Sequence, residues 1–178
     1  MAPREEQQLE LNWVRAAARG DRAAFAELAD RYLPRLERYA LRMLGDPDTA
    51  EDVAQEALIK LWQLADRYDP DKSQLTTWLH RMTHNACIDQ LRQSKRWAPL
   101  EGIDEEFTAD ANAGDDAARI AAAVRGLPER QRSALVLTYY QGLTNREVGQ
   151  VMGLNTRAVE SLLVRPRQSL RRHLEEEK

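Results

Sequence analysis

Apolar residues recur at three- and four-residue intervals along almost the whole of this chain, and one stretch interrupts them. Residues 98–118, "APLEGIDEEFTADANAGDDAA", hold seven acids, no base and little apolar periodicity. A segment that cannot bury an apolar stripe has nothing to offset the entropy of ordering it, so it reads as a flexible acidic linker. Everything on either side follows helical spacing, and alternation of period two is absent, which excludes a sheet. The expected fold is therefore all-α, with two helical domains, 1–97 and 118–178, joined by a linker over 98–117.

In the first domain, Leu9 to Ala18 form one helical stretch, and Phe25, Leu28, Tyr32, Leu36, Tyr39, Leu41 and Leu44 form a second that ends at "GDPD". Gly45 and Pro47 stop it. A third helix begins near Asp48, places Val53, Leu58, Leu61, Trp62 and Leu64 inside, and halts before "RYDPDKSQ". A fourth runs unbroken from Leu75 to Trp97. Beyond the linker, Ala118–Gly126 is helical. "LPERQR" then sets Pro128 in a favourable first turn, with Glu129 near the positive end of a helix that runs to about Tyr140.

Charge separates the same segments. Residues 1–97 carry 15 Lys and Arg against 16 Asp and Glu, residues 98–118 carry none against seven, and residues 119–178 carry 11 against six. A basic module behind an acidic tether suits a polyanionic partner better than the net charge of −3 suggests. No apolar run approaches the roughly 18 residues that span a bilayer, and "MAPREEQQLE" lacks the apolar core of a signal peptide, so a cytoplasmic protein is expected. The single cysteine, Cys87, has no intramolecular disulfide partner.

The end of the chain is the most specific part. In "TNRE", the Thr144 hydroxyl and the Glu147 carboxylate can cap each other's backbone N–H groups, which fixes a helix start. Gly153 suits the left-handed residue that ends that helix, and Asn155 can cap the next. Val148, Val151, Leu154, Val159 and Leu162 then fall between the two helices of a helix-turn-helix. Its second helix turns Thr156, Arg157, Glu160, Ser161, Val164 and Arg165 outward. These side chains suit base edges in a major groove, and Arg167, Arg171 and Arg172 suit phosphates. Pro166 would remove the N–H bond to Leu162 O and kink or end the helix after the base-reading positions.

Five blocks, "GDRAAFAELADRY", "DPDTAEDVAQEALIKLWQ", "TTWLHRMTHNACIDQLRQSKR", "LPERQRSALVLTYYQGLTNREVGQVMGL" and "TRAVESLLVRPRQSLRR", resemble in order and spacing those of the extracytoplasmic-function sigma factors of the sigma-70 family. The resemblance implies a protein without catalytic residues or cofactor. Such a protein docks on bacterial RNA polymerase core through its β′ and β subunits, reads two promoter elements, and is held off by an anti-sigma factor until it acts, as a monomer without membrane insertion.

Carried over residue by residue, polymerase binding falls to Asp52, Gln55 and Glu56, with Ile59 and Trp62 beside them. Binding of the −10 element as single-stranded DNA with a flipped base falls to the loop residues Asp69, Lys72, Ser73 and Gln74. On the following helix it extends to Trp78, Arg81, His84, Asn85, Arg92, Lys95 and Arg96. Binding of the −35 duplex falls to Thr144, Asn145 and Arg146 and to the outward residues of the last helix with Arg167. Leu162 stands where the family commonly has Arg, and Pro166 where it commonly has Ala.

His80, His84 and Cys87 share one helical face, yet a structural zinc site needs four ligands and no fourth stands nearby, so no metal is assigned. The alternative to a sigma factor is a helix-turn-helix regulator that binds duplex DNA as a dimer without polymerase.

Overall fold

The computed structural model describes residues 3–97 and 115–164, with side chains from Glu5 to Ser94 and from Ile120 to Val164. All regular structure among these residues is helical. Arg165, Pro166 and Arg167 lie outside the described residues, and so do linker residues 98–114 and the side chains of Lys95 and Arg96.

Helix α1 (Pro3–Ala17) leads into α2 (Arg22–Leu44), whose start is set by the Asp21 carboxylate accepting from the N–H groups of Ala23 and Ala24. Pro34 lies inside α2 without ending it. It sits on the exposed side, where one lost N–H bond is tolerated, while Leu28, Tyr32, Leu36 and Tyr39 are fully buried on the other. Gly45, at φ 83°, closes α2 by donating to Leu41 O at 2.8 Å. Asp46 and Pro47 start α3 (Pro47–Leu64), as the "GDPD" stop signal implies.

A 3-10 turn (Ala65–Arg67) and a loop over 68–74 connect to α4 (Leu75–Trp97), which has the limits that its periodicity predicts. After the linker, α5 (Asp115–Arg125) starts three residues before the expected position. Pro128 caps α6 (Glu129–Leu135) from outside rather than sitting in its first turn, and the chain continues as a π turn over Val136–Tyr140. Helix α7 (Asn145–Met152) and the helical residues 156–164, here α8, complete the fold.

Two apolar clusters hold the helices. One, around Leu28, Tyr32, Leu36, Leu58, Leu61 and Leu79, joins α1 to α4. The other contains Tyr39, Met43, Val53 and Cys87 from the first group of helices together with Leu135, Leu137, Val148, Val159 and Leu163 from the second. The second cluster therefore runs across both halves of the chain. Helices α6 and α7 have only seven and eight residues, too short to enclose a core alone, and they complete it against α2 and α4. Within the helix-turn-helix, Leu163 is fully buried, whereas Leu162, the expected core residue, is only half-buried.

Candidate nucleic-acid interface

The sequence-assigned residues fall on three surfaces. On α3, the buried face is Val53, Ala54, Ala57, Leu58 and Leu61, so Asp52, Gln55, Glu56 and Ile59 are left exposed along one side. The Gln55 amide donates to Glu51 at 2.8 Å, and Glu56 pairs with Lys60 at 2.7 Å. These neighbours within one helix hold the polar side chains upright at little energetic consequence. Ile59 is 54% exposed, an apolar side chain left in water at the C-terminal end of that strip. Trp62 is half-buried, its ring packed edge-on against Phe25 at 5.1 Å, so only part of it is available to a partner.

The second surface is the loop over 68–74 and the first turns of α4. The Asp69 carboxylate accepts from the Asp71 backbone N–H at 3.0 Å and pairs with Lys72 at 3.1 Å. The hydrogen bond from Lys72 holds that carboxyl below its ordinary pKa, so it remains charged. Tyr68 donates its hydroxyl to Ser73 O at 3.0 Å, and its ring lies 5.3 Å from that of Trp78. Burial pushes the Tyr68 phenol up to about 12, so it keeps the proton this bond needs.

The ordered loop leaves a cavity of about 280 Å³ lined by Arg67, Asp69, Lys72, Ser73, Thr77, Trp78, Arg81 and Gln150. Three of these are cationic, one is aromatic, and the buried Thr77 hydroxyl has no hydrogen-bond partner. An aromatic wall with cations at the rim can stack a base and hold its phosphate. Gln74, Asn85 and Arg92 are exposed but do not line it.

His84 departs from its assignment. It is only 8% exposed and is hydrogen-bonded through Nδ1 to Tyr39 OH at 2.9 Å, because α2 and the C-terminal helices cover that side of α4. Burial lowers its pKa to about 4 and lowers that of His80 as well, so both rings are neutral near pH 7. His80 Nδ1 donates to Thr76 O at 2.8 Å, and its Nε2 lies 3.2 Å from Gln141 Oε1. Burial also pushes the Cys87 thiol up to about 12. His80 and His84 are thus occupied by protein partners, and among the described residues no group of three or more His, Cys, Asp or Glu is placed to hold a metal ion.

The third surface is the helix-turn-helix. Thr144 and Glu147 form the full capping box, with the Thr144 N–H donating to Glu147 at 2.8 Å and the Glu147 N–H to Thr144 Oγ1 at 3.3 Å. Gly153 has φ 67°, and Asn155 Oδ1 accepts from the Ala158 N–H at 2.9 Å. Those caps orient α8 so that Thr156, Arg157, Glu160, Ser161 and Val164 are exposed. Thr144 and Arg146 are exposed at the start of α7, and Asn145 is half-buried.

Two features escape sequence reasoning. Gln150, on α7, reaches the loop cavity and donates to Lys72 O at 3.4 Å, a contact 78 residues apart that no local pattern announces. Gly149 sits where an added Cβ would lie 2.5 Å from Leu154 O, so the turn between α7 and α8 closes directly on it. A glycine inside a capped helix is itself a signal of close approach and could have been read so.

Comparison with known proteins agrees with this arrangement. Residues 28–97 match the family Sigma-70 region 2, and residues 117–170 match Sigma-70, region 4. The chain is similar to the ECF RNA polymerase sigma factor SigW of Bacillus subtilis, with 30% identity over 90% of this chain and 94% of that protein. It is also similar to the ECF RNA polymerase sigma factor SigK of Mycobacterium ulcerans, with 32% identity over 83% of this chain and 84% of that one. Among solved structures, CnrH in complex with the cytosolic domain of CnrY aligns with a TM-score of 0.72 and 26% identity over 96% of this chain and 99% of that one. The sigma factor RpoE in complex with the anti-sigma factor NepR from Bartonella quintana aligns at the same TM-score with 23% identity, over 86% of this chain and 98% of that one, a likeness of fold.

Proposed function

The chain belongs to the extracytoplasmic-function sigma factors of the sigma-70 family, and from that premise we propose that it recruits bacterial RNA polymerase core to two-element promoters. It acts by binding and positioning, in the cytoplasm where the polymerase is. The observation that carries this reading is the placement of the two family matches. The region 2 match ends in the loop and α4 that frame an aromatic, cation-rimmed cavity, and the region 4 match holds the capped helix pair with an exposed polar α8.

Each surface has a role that fits its chemistry. The strip Asp52, Gln55, Glu56 and Ile59, with the accessible part of Trp62, binds the polymerase β′ subunit through charge complementarity around an apolar contact. The cavity takes a base flipped from the −10 element, its stacking on Trp78 and the cations Lys72 and Arg81 offsetting the few kcal/mol lost on unstacking. Helix α8 enters the major groove of the −35 duplex, where Arg157 can donate to guanine and Glu160 can accept from cytosine. An anti-sigma factor holds the protein off. Support comes from CnrH and RpoE, which were solved with the cytosolic domain of CnrY and with the anti-sigma factor NepR.

Run-off transcription with core polymerase over a promoter library is the test. Initiation at sites with two elements at fixed spacing is expected. Tight binding to duplex DNA without polymerase, and no run-off, would instead favour the dimeric regulator.

A further inference from the structure

Arg31, Arg35, Arg38 and Arg42 follow one another along α2 at spacings of four, three and four residues. At 3.6 residues per turn these positions stay within an arc of roughly 60° and extend over about 16 Å of helix. They form a stripe beside the buried face, and no acid stands three or four residues from Arg35 or Arg38. Such a row repels itself unless a counter-charge comes from outside the helix.

Two of the four are already engaged. Arg31 is held by Glu6 and by Glu10, the latter at 2.8 Å. Arg42 lies back against its own helix, donating to Arg38 O at 3.1 Å, and stacks on Tyr140 at 4.2 Å. Arg35, half-buried, and Arg38, exposed, have no carboxylate within ion-pair distance among the described residues. Burial and, more weakly, the charge of Arg35 lower the His80 pKa, so this guanidinium stands on the α4 side of α2.

Arg35 also lines a second cavity, of about 390 Å³, with Glu10, Arg31, Tyr68, Gln74 and Thr76. The first turn of α4 is the ridge between the two cavities. Gln74, Leu75 and Thr76 border this one, whereas Ser73, Thr77 and Trp78 border the base cavity. A strand that leaves the base cavity across that ridge enters the cleft at Arg35 and meets Arg38 on the next turn of α2. An aromatic wall followed by unpaired arginines offers the stacking and the phosphate neutralisation that single strands need, and the planar guanidinium fork matches a phosphate.

We propose that Arg35 and Arg38 hold phosphates of the promoter strand whose flipped base fills the Trp78 cavity, so that the strand crosses the first turn of α4 and runs on along α2. The proposal rests on the sigma-factor reading for the identity of the strand, and adds a backbone track on a helix outside all three surfaces described above.

The test is holoenzyme reconstituted from core polymerase and the full chain, either wild type, R35Q/R38Q or R22Q. It is titrated with a fluorescein-labelled single strand carrying the −10 element of a promoter selected by run-off, between about 50 and 200 mM salt. Each lost phosphate contact makes the slope of log K against log salt shallower by about 0.7. R35Q/R38Q should therefore be shallower by about 1.4 and bind at least roughly tenfold more weakly at the lowest salt. Arg22 is exposed on the opposite side of α2, and R22Q should keep the wild-type slope. An unchanged slope in R35Q/R38Q, or an equal change in R22Q, overturns the track. Weaker binding at an unchanged slope overturns it as well, because a structural effect on the cavity loses affinity without losing counterion release. Intact strand binding with weakened capture of polymerase would give the stripe to polymerase instead. Failure of the wild-type holoenzyme to initiate at any promoter sinks the sigma-factor reading. The same slope comparison between the full chains alone and an oligo(dT) strand then still decides whether Arg35 and Arg38 meet phosphates.

Discussion

Replacing Gly149 by Ala sets two known effects against each other. Alanine in a helix interior is favoured over glycine by about 1 kcal/mol, so propensity alone predicts a more stable protein. Against this, the new methyl would sit 2.5 Å from Leu154 O, and the obstacle is backbone rather than the end of a flexible side chain. The turn would have to move outward by the better part of an ångström, stretching the bond from the Leu154 N–H to Gly149 O, now 2.9 Å. The flanking Val148 and Val151 are 0% and 2% exposed, so α7 cannot back away instead. Overpacking of this kind costs about 1–3 kcal/mol, and the weakened hydrogen bond adds about 1 kcal/mol. The clash wins, with a net destabilisation of about 1–3 kcal/mol. Urea unfolding followed by circular dichroism should show a lower midpoint at an unchanged slope. Gly126→Ala is the control: its added methyl meets only carbonyl oxygens at 3.6 and 3.7 Å, so it should be neutral or slightly stabilising. A Gly149→Ala protein as stable as wild type would refute the claim that this contact sets the angle between α7 and α8.

Thr144→Ala removes the hydroxyl half of the capping box and should cost about 1 kcal/mol in the same assay, with the helix-turn-helix losing amide protection first. Acid should destabilise the fold through His84. Its folded pKa lies near 4, against about 6.5 unfolded, so the unfolded chain binds the proton first and stability falls as pH drops from about 6.5 to 4. The full effect is roughly 3 kcal/mol, and His84→Gln should flatten that part of the pH profile. On function, Gln55→Ala should weaken capture of core polymerase several-fold and leave promoter preference intact, whereas Arg157→Ala should do the reverse. Run-off titrations against polymerase and against promoter variants separate the two, and an exchange of phenotypes would overturn the assignment of faces.

The helices themselves were legible because their determinants are local. The limits of α4 follow from uninterrupted periodicity, the end of α2 from Gly45, and the start of α7 from Thr144 and Glu147, whose hydrogen bonds span three residues. The outward face of α8 follows from Val159 pointing in, although helical spacing alone could not choose between Leu162 and Leu163 for the innermost position. Pro34 shows the limit of local rules, since packing on the opposite side of α2 carries the helix past it.

Residue types and their order thus determined that this chain is helical, where α2 ends, where α4 runs and where α7 starts, since these depend on neighbours a few positions away, and the order of its sequence blocks determined which family it belongs to. Only the tertiary structure decided that His84 is buried, that Gln150 borders the cavity framed by Lys72 and Trp78, and that one apolar cluster runs through both halves. Those outcomes depend on which faces two distant helical groups present to each other. A surface that suits water, a partner or the other half of the same molecule can carry the same amphipathic pattern in all three cases.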